Sequence, residues 1–173
     1  KSAAFSYLFN QAMHGASEAF ERLSRTFKSF PAARSALDGL NRVPTGKLMI
    51  EKLGPFADKI KVQLTLTGQA KVSGNVILVT RDISAFTLGH EFQHLGENLL
   101  GTKNPFLPVE NAADDQLAGT MNMGLEFRAM RIENQLRLER AQIMKIKPIL
   151  RTVYHFDERT PIPMPEPYLP HAR

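Results

Sequence analysis

Apolar residues recur every three or four positions early in the chain. Between residues 16 and 30, Ala19, Leu23, Phe27 and Phe30 fall on one side of a helical wheel and charges occupy the others, the pattern of an amphipathic helix. Pro31 is expected to end it, with a short helical turn over 32–40 and a loop at 41–46. The period then shortens to two. Leu48 and Ile50, followed by Ile60, Val62, Leu64 and Leu66, alternate with polar residues, which predicts half-buried strands separated by a break at Gly54-Pro55. Gly68 and Ser73-Gly74-Asn75 bracket a further short strand or turn. The compact apolar run Val76-Ile77-Leu78-Val79 reads as another strand. The short connections predict a mostly antiparallel small sheet over residues 48–80.

The helical period returns over 83–100. Ser84 or Thr87 is placed to cap this helix, and Gly101 lies just beyond its end, where a helix-terminating glycine belongs. A proline-containing loop follows at 101–111. A long helical stretch is then expected from about residue 112 to 147, broken near Gly119 or Gly124 and stopped by Pro148. Five prolines from residue 160 onward (TPIPMPEPYLPHAR) predict an extended tail over 160–173. Residues 1–159 read as a single domain of α+β class.

Composition narrows the chemistry. The chain has 173 residues, 43% hydrophobic and 23% charged, in the range of globular domains. It has no Cys, which excludes disulfides, Cys-ligated zinc, iron–sulfur clusters and thiol nucleophiles. No apolar run reaches the roughly 20 residues of a membrane span, so no membrane insertion is expected. The net charge of +5 comes from 22 basic and 17 acidic residues. They are interspersed and form no basic patch with interleaved aromatics, so nucleic acid is not the expected partner. The start at Lys1-Ser2-Ala3, without Met or a signal-peptide pattern, leads to the expectation of a fragment or processed form of a longer polypeptide.

One motif carries chemistry. His90-Glu91-Phe92-Gln93-His94 is an H-E-x-x-H sequence inside the helix expected over 83–100. A shuffled chain of this composition would carry it about once in a hundred times. Four residues make slightly more than one helical turn, so both imidazoles leave the same face. Glu91 sits about 100° around the helix from His90, within reach of a water on a metal held by the pair. Zinc suits such a site: three protein ligands and one open position, with the bound water acidified to a pKa of about 7. Glu91 is then the general base.

A third ligand must come from elsewhere, because the extended H-x-x-G-x-x-H pattern is absent. The available carboxylates are Glu97, Glu110, Asp114, Asp115, Glu126, Glu133 and Glu139. Glu97 lies too far along the motif helix to share a metal comfortably. Glu110, Asp114 and Asp115 sit in or beside a loop, where they suit helix capping. Glu126 and Glu133 are seven apart and share a helix face. One of them can ligate while the other orients a ligand histidine.

The segment Thr87-Leu88-Gly89-His90-Glu91-Phe92-Gln93-His94, with Leu125-Glu126-Phe127-Arg128-Ala129, Ile132-Glu133-Asn134-Gln135-Leu136-Arg137 and Arg151-Thr152-Val153-Tyr154, resembles the zinc peptidases that bacteria inject into other cells. It is similar to NleD-type effectors of type III secretion, whose pattern joins a Glu-x-x-Arg-Ala-like segment to Glu-Asn-x-x-Arg and a later Arg-x-x-Tyr. It also resembles the C-terminal peptidase domains of VgrG-type spikes of type VI secretion. The likeness spans about residues 75–155. It leaves the first helix and the proline tail unmatched.

The resemblance implies a zincin-like α+β fold, one Zn2+ held by His90, His94 and Glu126, Glu133 behind a ligand histidine, and Glu91 as base. It further implies a gluzincin-type metalloendopeptidase delivered as a toxin or effector into a recipient bacterium, its periplasm included, or a host cell. The partners would be a protein or peptide substrate and a cognate immunity protein. The substrate would lie extended along a sheet edge formed by residues 75–79. Tyr154 and His155 are of a type that stabilises an oxyanion, and a Tyr bonded to a backbone carbonyl is the simpler reading of the former. The competing reading is a non-catalytic, zinc-stabilised interaction module of a secretion-system protein. A structural zinc normally has four protein ligands, and this chain offers no Cys and few spare His to complete them.

Overall fold

A computed structural model describes residues 18–107, 123–155 and 161–163. The first helix, α1, covers 18–26 and buries Ala19 and Leu23, with Phe27 just past its end. Pro31 opens the next helix, α2 (Pro31–Leu40), and Pro44 opens α3 (Pro44–Leu53). At a first helical position the missing N–H costs no hydrogen bond and the fixed φ suits the helix. The short turn expected over 32–40 is thus a full helix. The strand expected at Leu48 and Ile50 is helical as well. The residues that α3 buries are Thr45, Gly46, Met49, Ile50 and Leu53, spaced at the helical period. Leu48 only borders that face, so its alternation with Ile50 carried no strand. A 3-10 segment, Gly54–Lys59, continues from α3.

The sheet is confined to β1 (Lys61–Leu64), β2 (Lys71–Ser73) and β3 (Val76–Val79), in the order β1-β3-β2. β2 and β3 pair antiparallel across a two-residue turn at Gly74-Asn75, where Gly74 takes φ 61°, a left-handed value that glycine adopts without strain. β1 runs parallel to β3. The sheet is therefore mixed rather than mostly antiparallel. Short connections force antiparallel pairing only between consecutive strands that are neighbours, and β1 and β2 flank β3 without touching each other. β3 is paired on both sides and offers no edge, which removes residues 75–79 as the edge for a substrate strand. Its Ile77 and Val79 are fully buried. Ile77 pairs with both Val62 and Val72, so the three make an apolar row on the helix-facing side.

Helix α4 (Ala85–Leu100) is the centre of the molecule. Ser84 caps it, its Oγ accepting from the Thr87 N–H at 3.2 Å, and Gly101 closes it at φ 68° with its N–H on the Glu97 carbonyl. Every residue from Leu88 to Gly96 is buried, because α2, α3, the sheet and α5 (Met123–Met144) all pack around this helix. The approach of α5 depends on Gly89: a Cβ there would overlap Leu136 Cδ1. The expected helix over 112–147 is seen from Met123 to Met144 and runs through Gly124 without a break there, while Gly119 lies outside the described residues. Beyond Pro148, β4 (Val153–His155) pairs antiparallel with β5 (Pro161–Pro163). This part of the proline tail is extended as expected but forms a ladder with the preceding segment. The rest, from 164 to 173, lies outside the described residues.

A buried link ties α5 to the start of α3. Glu139 accepts from the Thr45 N–H at 2.7 Å and from the Thr45 hydroxyl, and Gln135 donates to it at 2.9 Å. Its carboxylate thereby satisfies an N–H that α3 cannot, and its charge suits the positive end of that helix. Glu139→Ala is expected to destabilise the chain by about 1–3 kcal/mol, the cost of leaving buried donors unpaired. A urea melt checks it; a shift below about 0.5 kcal/mol, the range of ordinary surface substitutions, would show the link to be dispensable.

Candidate metal centre

The second and third turns of α4 carry the motif. His90 and His94 are each 7% exposed and Glu91 5%. Their rings stand nearly edge to face, with centroids 5.1 Å apart and planes at 72°. The first turn of α5 crosses opposite them. It places Glu126 between the two imidazoles, with Oε2 3.1 Å from His90 Nε2 and Oε1 3.2 Å from His94 Nε2. One atom from each of the three side chains lies within 4.8 Å of the others, and this His90, His94 and Glu126 group is placed to hold a metal ion. Ligands about 2.0–2.1 Å from a tetrahedral ion lie about 3.3 Å from one another. The observed nitrogen–oxygen separations are close to that, so the donor set fits a small divalent cation with little rearrangement.

The charges favour a cation. Burial alone would push Glu126 upward, but hydrogen bonds from His90 and His94 outweigh it and hold the carboxyl far below the usual range. Burial likewise works against protonated His90, yet Glu126 and Glu133 reverse the balance and raise it to about 9. A proton on the ring therefore plays the part that a metal would play between the same groups. Glu91 differs from its neighbours. Burial raises it from the ordinary carboxylate value despite the pull of His90 and His94, and its Oε2, like Nδ1 of both histidines, is buried with no hydrogen-bond partner among the described residues. A carboxyl in that state is suited to take up and give back a proton.

Glu133 stands behind His90. Its Oε1 lies 3.4 Å from His90 Nδ1, the ring nitrogen turned away from Glu126. Burial pushes Glu133 up, while His90 and the guanidinium groups of Arg151 and Arg137 bring it below the ordinary carboxylate value. The two acidic residues on one face of α5 thus have distinct places, Glu126 between the rings and Glu133 on the far side of one ring. Glu97 is not at the centre. It is half-buried and paired with Arg128 across α4 and α5, and desolvation raises it despite that pairing. Glu139 is taken up by Thr45, as described above. Glu110, Asp114 and Asp115 lie outside the described residues. Tyr154 and His155 belong to β4.

Sequence reasoning gave no role to Asn134 and Arg151. Arg137 was legible as a partner of Glu133 from its spacing of four. Arg151 was not, because eighteen residues and Pro148 separate it from the Glu133 it meets. Comparison with protein-family models, curated proteins and solved structures gave no match.

The two carboxylates are separable by substitution. Glu126→Ala removes a ligand and is expected to abolish tight metal binding. Glu133→Ala removes only the support of a ligand, a change that typically costs about 10–100-fold in affinity. Competition with a chromophoric chelator measures both, and an empty site in Glu133→Ala beside a full one in Glu126→Ala would reverse the assignment.

Proposed function

We propose that this chain is a zinc-dependent metalloendopeptidase. The observation that carries the reading is the convergence of His90, His94 and Glu126 beside a buried Glu91 oxygen that has no partner among the described residues. Three protein ligands suit a catalytic zinc, which keeps a position open, better than a structural one. When bound, zinc supplies a Lewis acid that polarises a carbonyl and lowers the pKa of water from about 15.7 toward 7.

The chain's own residues perform the remaining steps. Glu91 accepts the proton of the attacking water and returns it to the leaving amine, for which a raised pKa is the right preparation. Glu133 holds the His90 ring with Nε2 toward the ligand face. The walls of α4 and α5 exclude bulk water and so strengthen the electrostatics. An extended substrate would add to β1 or β2, the two strands of the sheet that β3 leaves with an outer edge, in the manner of strand addition. The role as an injected toxin or effector, with a type VI spike as carrier, rests on the likeness of the motif residues to such peptidases. A protein or peptide in a target cell is the substrate class, and an immunity protein its natural antagonist.

Protein purified without added metal should contain about one zinc per chain, as a single three-ligand site implies. Elemental analysis showing under a tenth of that, with no uptake on titration, would end the peptidase reading.

The base and the ligands should part company on mutation. Glu91→Gln is expected to keep zinc and thermal stability while peptide hydrolysis falls about 10²–10⁴-fold, the usual loss for a positioned acid–base group. His90→Ala is expected to lose zinc as well, with the stability that binding adds by mass action. Bound zinc, melting temperature and hydrolysis are read on the same preparations. A Glu91→Gln chain as toxic to a recipient cell as the parent, beside a harmless His90→Ala, would favour the zinc-stabilised interaction module.

A further inference from the structure

Apart from His90, the groups gathered around Glu133 have no part in the chemistry above, and the cluster draws on three separate stretches of chain. Glu133 is 2% exposed. Its Oε1 is shared: Arg151 donates to it from a terminal guanidinium nitrogen at 3.0 Å, and His90 Nδ1 faces it at 3.4 Å, an ion-pair separation without hydrogen-bond geometry. Its Oε2 accepts from Arg137 Nε at 3.3 Å. The Arg137 guanidinium also lies 4.5 Å over the ring of Phe86, one helical turn before His90.

Arg151 is itself held in place. The neighbouring side chain on α5, Asn134, is fully buried. Its Nδ2 donates to the Arg151 carbonyl at 2.7 Å, and its Oδ1 accepts from the Arg151 N–H at 2.8 Å. One amide thus occupies both backbone groups of a single residue, as a strand neighbour would. The result is a chain of contacts running from Asn134 through the Arg151 backbone and guanidinium to Glu133 and on to His90.

We propose that Arg151 is a positioning residue of the metal centre. Asn134 seats its backbone, its guanidinium fixes the plane of the Glu133 carboxylate, and that carboxylate sets the His90 ring. A carboxylate opposite one imidazole can still turn about its last bond. With a guanidinium on each oxygen it cannot do so without giving up a charge-assisted hydrogen bond. Arg151 also begins the segment that leads into β4, so the seating of the β4–β5 hairpin and the orientation of a metal ligand are coupled. The inference rests on the reading of His90, His94 and Glu126 as a metal centre.

A double-mutant cycle tests it. Zinc affinity is measured by chelator competition for the parent, Arg151→Ala, Arg151→Lys, Glu133→Gln and the Arg151→Ala/Glu133→Gln pair. Each protein is also melted after stripping the metal. Arg151→Ala is expected to weaken zinc about tenfold, the lower end of the range for groups that support a ligand. In the Glu133→Gln background the same change should cost less than about twofold, since residues that act through one another are not additive. Arg151→Lys should recover most of the loss. The metal-free melting temperature of Arg151→Ala should stay within about 2 °C of the parent, because Arg137 still pairs with the buried Glu133 carboxylate and the Asn134 bonds go to backbone groups that alanine keeps.

Equal weakening in both backgrounds would overturn the proposal, as would unchanged affinity in Arg151→Ala. A parent that takes up no zinc would remove the metal centre and this inference together. A parent that binds zinc tightly and is indifferent to Arg151 would remove the inference alone.

Discussion

The approach of α5 to α4 at Gly89 is the constraint on which the rest depends. Leu136 fills the space that a side chain at Gly89 would take, and only at that separation do Glu126 and Glu133 reach the histidines. The contact is held by ordinary burial. Leu88, Phe92 and Leu95 from α4 meet Ile132 and Leu136 from α5 within one continuous core, and each side chain of this size contributes roughly 1.5–3 kcal/mol when removed from water. That apolar surface offsets the cost of drawing several carboxylates into the same interface.

The buried carboxylates sort by the permanence of their partners. Glu139 bonds to Thr45 and Gln135, Glu97 to Arg128, and Glu133 to Arg137 and Arg151. Each has a partner that is always charged or always a donor. Among the described residues Glu126 pairs with imidazoles, whose donor capacity depends on a proton. Glu91 has an oxygen left over among the described residues, as Glu97 has beside its Arg128 pair. The groups with fixed partners hold helices together, and the two without them are those that can exchange a proton for something else.

Much of this was legible in the residues. The H-E-x-x-H spacing, the Ser84 cap, the Gly101 terminus and the shared face of Glu126 and Glu133 are local properties, and local geometry in a helix is fixed by its period. What escaped was non-local or set by context. The alternation at Leu48 and Ile50 spanned too few residues to tell a strand from the edge of an amphipathic helix. Pro31 and Pro44 mark helix starts as readily as helix stops, and only the buried faces that follow decide which. The parallel pairing of β1 with β3 was hidden because strand order cannot be read from connection length alone. The link from Asn134 to Arg151 joins residues on either side of a proline, with no periodicity between them.

The two oxygens of Glu126 each engage a different imidazole, which has a consequence for the character of the metal. The carboxylate already holds both rings toward one point, and the apolar core beneath them is complete in the same structure. An ion arriving here finds its coordination shell in register and has little left to organise. With this core behind it, such an ion would be a passenger rather than a keystone, unlike the metal of a zinc finger, whose binding energy is its folding energy. Loss of such an ion would leave in place the apolar burial among Leu88, Phe92, Leu95, Ile132 and Leu136, which does not depend on a metal.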